Sequence, residues 1–223
     1  MKLIIRKTHK YLSFFISVQL LLWTVSGIYF AFNKIELVRG EQYRVQPKDY
    51  VITDNLNFNI PGATSINVQR LLDSTIIIAS TPSGKNFYDS NGSPLGKLSP
   101  DQAMEIVSLK TTLKPLAVQE ITKTKKGSEY RGRDLPIYKV DTENDLGKLI
   151  NVYVSVFSGD IVAIRSNQWR IWDLMWGFHI MDWVERDNID NLLLKIFSIL
   201  ALVSSITGVL LFVKLDVKKN EQS

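Results

Sequence analysis

Two runs of apolar residues limit what this chain can fold into more than anything else in it. Residues 11 to 32, YLSFFISVQLLLWTVSGIYFAF, carry no charge, and residues 192 to 213, LLLKIFSILALVSSITGVLLFV, carry only Lys195. As helices rising 1.5 Å per residue, 22 positions reach about 33 Å, the depth of a bilayer core. Each run therefore predicts a transmembrane helix, with Lys195 snorkelling to the nearer interface. The first run is longer than the apolar core of a signal peptide, roughly 7–15 residues, and the chain continues AFNKIELVRGE without a small-x-small cleavage site. It is expected to stay as an anchor.

Charge is distributed to match. Residues 1–32 carry Lys2, Arg6, Lys7 and Lys10 and no acid, residues 33–190 carry 19 basic and 20 acidic residues, and residues 191–223 carry 4 basic and 2 acidic. The net charge of +5 thus belongs to the ends, while the long middle is balanced. By the positive-inside rule both termini face the cytoplasm and residues 33–190 lie outside, in a bacterial cytoplasmic (inner) membrane. Partners are then membrane lipid and no nucleic acid, because the excess charge flanks the spans instead of forming a patch on a soluble domain. The absence of cysteine excludes disulfides, c-type haem attachment, iron–sulfur clusters and thiol catalysis.

Between the spans the signals are those of an α+β domain. Strands are predicted around Thr75–Ala79 and Lys85–Asp89, separated by a turn at residues 81–84 and followed by one at residues 90–92. LSPDQAMEIVSLKTTL predicts a helix with Ser99 as N-cap, Pro100 in the first helical position and Ala103, Ile106, Val107 and Leu109 on its apolar face. AVQEITKT, LPIYKVDT and LINVYVSVF then alternate as half-buried strands, and SGD at residues 158–160 turns the chain into IVAIR. One helix on a small antiparallel sheet is the economical solution.

WRIWDLMWGFHIMDW, residues 169–183, holds four of the five tryptophans and one of the two histidines. Trp169, Trp172, Trp176, His179 and Trp183 are spaced 3, 4, 3 and 4 apart, so they form one strip of a helix. Such a strip serves as a membrane-surface anchor, a packed core or the wall of a cofactor site. Asp173 and Asp182 fall off it, towards solvent or the middle domain. The expected division is residues 1–34 for the N-terminus and first span, 35–166 for the α+β domain, 167–190 for the Trp-rich interfacial helix and loop, 191–213 for the second span, and 214–223 for a cytoplasmic tail.

The order LSPDQAMEIV, strands, then VYVSVFSGDIVAI over residues 99–165 resembles a PepSY domain, and residues 67–98 resemble a degenerate partial repeat of it. The flanks RKTHKYLSFF…TVSGIYFAF and LMWGFHIMDW…SITGVLLF are similar to the membrane segments of PepSY-associated transmembrane proteins, which pair a histidine before each span with a (T/S)-G near its end. Many members have four or more spans where this chain has two. The resemblance, which extends to membrane ferric-siderophore reductases, implies haem b held by His9 and His179, with Gly27, Gly208 and Trp176 lining the pocket, and an oxidoreductase or electron-transfer role linked to iron or flavin. The residues alone leave another reading open for each histidine: a polar residue in a basic flank for His9, an interfacial histidine in an aromatic belt for His179.

Small or polar stripes accompany both histidines: Ser13, Ser17, Thr24, Gly27 and Ala31 after His9, and Ser198, Ala201, Ser205 and Gly208 on the second span. Ordinary helix packing accounts for such stripes as well as a macrocycle does. His9 belongs to the cytoplasmic end of span one and His179 to the outer end of span two, about 30 Å apart across the hydrocarbon. They cannot share one iron, so a second axial ligand must come from another copy, most simply in a homodimer, or from a membrane partner. No HExxH, P-loop, dinucleotide fingerprint or Ser-His-Asp context is present, and no catalytic residue is assigned. TKTKKGSEYRGRD, residues 122–134, reads as a solvated hairpin loop, or as a dock for an anionic partner or lipid headgroups. The competing function is a non-catalytic tethered module that binds, inhibits or assembles an extracytoplasmic partner such as a peptidase.

Overall fold

A computed structural model describes residues 2–47, 50–52, 56 and 58–220. The chain divides into two compact units, one of residues 35–169 and one of residues 1–34 with 170–223. Helices α1 (Lys2–Phe32) and α5 (Leu192–Asn220) stand at the two ends, with short α2 (Ile35–Val38) following α1. Of these, Leu3–Phe32 and Leu192–Val213 are long and apolar enough to cross a membrane, consistent with a two-span membrane protein. The last turns, expected as a tail, continue α5 to Asn220, and residues 221–223 lie outside the described residues.

The 35–169 unit is α+β, with two antiparallel sheets where the sequence suggested one. Strands β1 (Ser65–Leu71), β2 (Ser74–Thr81) and β3 (Gly84–Asp89) form the first. The second is a meander of β4 (Lys114–Ile121), β5 (Ile137–Glu143), β6 (Leu149–Ser155) and β7 (Ile161–Arg165). Strand β1 is the element the sequence hid. Its hairpin turns through Leu72 at φ 53° instead of through a glycine, so no turn residue announced it.

Helix α3 (Pro100–Lys110) covers one face of the four-stranded sheet. Its start is a capping box: Ser99 Oγ accepts from the Gln102 backbone N–H (3.2 Å), and Gln102 Oε1 accepts from the Ser99 N–H (2.8 Å). Ala103, Ile106 and Val107 are buried with Val140, Ile150, Val152 and Val154, and Leu71 and Ile76 of the first sheet join the same core. Leu109, expected on this face, is 60% exposed, because it lies roughly a third of a turn around the helix from the buried stripe of Ala103, Ile106 and Val107. The turn at residues 158–160 packs so closely that a Cβ on Gly159 (φ 65°) would lie 2.5 Å from Leu71 Cδ1 and 2.8 Å from Ile106 Cδ1, which reserves the position for glycine.

The opposite face of this sheet is also covered. Ile137, Tyr153 and Ala163 are buried under Tyr130 and Leu135, so the middle of the β4–β5 connection, residues 127–131, is half-buried, while residues 122–126 and 132–134 are exposed as their composition suggested. Glu129 Oε2 accepts from Asn151 Nδ2 (2.7 Å) and Tyr153 OH (3.0 Å), and the Glu129 carbonyl accepts from Arg165 Nε (2.9 Å). The Arg165 guanidinium, 4.3 Å from the Trp169 ring centroid, has its pKa held down to about 10 by burial and by Arg133, against the opposing pull of Glu129.

Candidate functional site

The other unit packs α1 antiparallel to α5 and fits α4 (Asn167–Ile180) against α1 from Arg170 onward. Antiparallel order follows from the contacts: Phe15 stacks on Phe197 (5.8 Å), Ser13 Oγ meets Ser204 Oγ (2.7 Å), and His9 faces Gly208. The predicted small-residue stripes drift off this seam. Ser17, Thr24, Ser198 and Ser205 face outward, and Ser17, Thr24 and Ser205 each return the hydroxyl to a carbonyl of their own helix. The buried line is instead Ile16, Gln19 and Ser26 on α1, continued by half-buried Ser13, and Ser204 on α5, which keeps to 3.6 residues per turn where the chosen residue types did not.

Each imidazole binds the hydroxyl that precedes a glycine on the opposite end of the pair. His9 Nδ1 lies 3.0 Å from the Ser204 carbonyl, with Thr207 Oγ1 at 3.2 Å and Ser13 Oγ at 3.4 Å. A carbonyl only accepts, so the proton sits on Nδ1 and the lone pair on Nε2. Gly208 makes room for this ring: a Cβ there would stand 3.1 Å from His9 Cε1. His179 Nδ1 lies 2.8 Å from Ser26 Oγ, which also reaches the Leu22 (2.7 Å) and Trp23 (3.1 Å) carbonyls, and the shorter of these is the better acceptor for its one hydrogen. Ser26 therefore accepts from Nδ1–H, and His179 takes the same tautomer. Among the described residues no group hydrogen-bonds either Nε2. The sequence paired each histidine with the (T/S)-G of its own span, and the fold exchanges the partners because the helices run in opposite directions.

Around His179 the ring of Trp176 lies nearly parallel (9°, 6.2 Å) and Phe30 meets it edge-on (65°, 5.6 Å), while Trp172 stacks on Trp176 (15°, 5.5 Å). Burial lowers the pKa of His179 and favours the neutral ring. Gly27 has open space where a Cβ would stand. The tryptophan strip is shorter than its spacing implied: α4 stops at Ile180, Met181 takes φ 56°, Trp183 is 52% exposed beyond the helix, and Trp169 belongs to the 35–169 unit with Arg165.

What stops α4 is a complete set of donors. Its last carbonyls, at residues 177 to 180, accept from the Asp182 N–H (3.0 Å), Gln19 Nε2 (3.2 Å), Trp23 Nε1 (2.6 Å) and Asn191 Nδ2 (2.9 Å) in turn. Asp173, expected towards solvent, is buried and paired with Arg186 (2.6 Å). Asp182 gathers the loop: its carboxylate accepts from the N–H groups of Val184, Glu185, Asp187 and Asn188. Partial burial pushes its pKa up, but the backbone donors prevail and hold it at about 2. Neither aspartate is a candidate ligand, since both are spent on the loop.

Ser26 is 17 residues from His9 on the same helix, about 26 Å at 1.5 Å per residue, so the two imidazoles are far too distant to share a metal. No group of three or more acidic, histidine or cysteine side chains able to hold a metal ion occurs among the described residues. Fold and site together define a class: a pair of antiparallel apolar helices carrying one anchored imidazole towards each end, with an α+β unit between them in sequence. No protein family, curated protein or solved structure matches the chain.

Proposed function

We propose that this is a two-span membrane protein of PepSY type whose His9 and His179 each ligate a haem b, one near either membrane face, and which carries electrons outward to an iron- or flavin-containing acceptor. One observation carries the reading: both imidazoles are fixed in the Nδ1–H tautomer by acceptors from a neighbouring helix turn, with the Nε2 lone pair unused. That is the arrangement a metal-ligating histidine needs, with an outer hydrogen bond orienting the ring and raising its basicity. The donor set fits haem iron and does not fit a protein-only metal cage, since each site has one nitrogen ligand. Haem, when bound, supplies the one-electron couple.

The chain's own residues supply orientation. The Ser204 carbonyl, Thr207 and Gly208 position His9; Ser26, Trp176 and Phe30 position His179. With one imidazole per site, a second nitrogen ligand would have to come from a second copy or a membrane partner. The charge bias of the ends supports an extracytoplasmic middle unit, and the helix followed by four strands over residues 100–165 supports the PepSY assignment.

The test is an absorbance spectrum of detergent-solubilised protein from haem-replete cells, oxidised and reduced. Two haem equivalents per chain pair or more, half of the signal lost in His9→Ala and half in His179→Ala, is the expected result. A colourless protein that is folded by circular dichroism overturns the proposal. The tethered-module reading, favoured by a cavity in the 35–169 unit, then takes its place.

A further inference from the structure

The 35–169 unit contains a cavity of about 740 Å³, within the size range of small-molecule sites. Three of its apolar wall residues are exposed although nothing about their positions requires it: Val45 by 43%, Tyr50 by 42% and Leu109 by 60%. Ile106 and Ile161 continue the apolar wall. Apolar side chains gathered in a concavity and left open mark a surface that something else covers.

The polar part of the wall is cationic. Arg44, Arg70 and Lys110 outnumber Glu41 and Asp160 on the wall, with Arg70 also paired to exposed Asp73 outside it (3.4 Å). Arg44 donates to the Ile161 carbonyl (3.1 Å), and its Nε, buried, stands 3.1 Å from a Glu41 oxygen without the alignment of a hydrogen bond. Lys110 is half-buried and donates to the Gly159 carbonyl (2.9 Å), with no ion pair among the described residues. Burial lowers its pKa, and Asp160 only partly opposes this; the Asp160 carboxylate already accepts from Gln69 (3.3 Å). Among the described residues this half-buried ammonium has a carbonyl in contact, and its opposing charge, Asp160, stands beyond ion-pair contact.

We propose that this cavity binds a compact organic anion with an apolar body: the anionic group on Lys110 and the guanidiniums of Arg44 and Arg70, the body on Val45, Tyr50 and Leu109. The site involves neither histidine, so it stands or falls apart from the haem proposal. Volume sets the upper size, the open apolar wall requires the body, and the half-buried ammonium sets the sign of charge.

Isothermal titration of the full chain in zwitterionic-lipid nanodiscs tests this, with naphthalene-2-sulfonate as probe, neutral naphthalene-2-sulfonamide as its uncharged counterpart and empty nanodiscs as blank. One sulfonate binds per chain, and the sulfonamide binds about tenfold more weakly, as expected for one charge-assisted hydrogen bond. Lys110→Met removes that preference, while Lys114→Met, at an exposed lysine outside the cavity, leaves it intact. Should Lys110→Met fail to fold, Leu109→Glu serves instead, since it places a repelling charge at a position already open. Equal affinity for the two compounds, or an unchanged preference in Lys110→Met or Leu109→Glu, overturns the proposal.

Discussion

Ser26 illustrates how one hydroxyl decides the chemistry of a ring it does not belong to. Because its hydrogen goes to a carbonyl of its own helix, it can only accept from His179. Ser26→Ala leaves that N–H unsatisfied and is expected to destabilise the protein by about 1–3 kcal/mol, read from thermal unfolding in detergent; an unchanged midpoint would show that the bond carries no weight. Two acid-sensitive groups sit nearby and separate by pH. His179, with its pKa lowered by burial, contributes stability that is full above about pH 6.5 and lost as the pH falls through its folded value. Asp182, held at about 2, contributes stability that is full above about pH 4 and lost only as the pH drops towards 2. Tryptophan emission and unfolding midpoint followed from pH 8 to pH 2 should therefore change in two steps, and His179→Gln should delete the upper one alone.

At the scale of elements, helix ends explain more than helix faces. Four donors from three segments close the C-terminus of α4, and two of them, Gln19 and Trp23, come from inside an apolar run where a polar side chain has few other reasons to be. Gln19→Leu roughly preserves size yet strips the Phe178 carbonyl of its donor, so it should lower stability by about 1–2 kcal/mol despite being more hydrophobic; a gain would refute the capping role. The Asp173–Arg186 pair fastens the loop that follows. Asp173→Asn should cost about 3 kcal/mol by leaving Arg186 without its charge partner, and Asp173→Leu combined with Arg186→Met should recover much of it, which a double-mutant cycle of unfolding midpoints measures. On the other unit, Ser99→Ala should remove about 1 kcal/mol through the capping box of α3.

For the whole molecule, the sequence's charge asymmetry predicts sidedness, and the lack of native cysteine makes the test clean. Single replacements Lys7→Cys and Leu146→Cys in intact cells should give labelling by a membrane-impermeant maleimide at position 146 only; labelling at position 7 alone would invert the topology. The division into two compact units also sets what sequence patterns can report. Flanking turn residues and local apolar patterning found β2, β3, α3 and the strands of the meander, because each is a property of its own short segment. The sheet formed by β1 escaped for want of a turn residue, and the packing of residues 127–131 on a second sheet face escaped because their composition is that of solvated chain.

Some properties of this protein need no fold to be known: two spans' worth of apolar sequence, two histidines near their ends, a balanced middle, and no thiol. They follow from composition and order, which burial in lipid and local periodicity read directly. The pairing of His9 with Ser204, Thr207 and Gly208, and of His179 with Ser26, arose only in three dimensions. Contacts at separations of 195 and 153 residues depend on the antiparallel register of α1 and α5 and on where α4 ends, and these are set by packing and by carbonyls seeking donors, for which a single sequence carries no local signal.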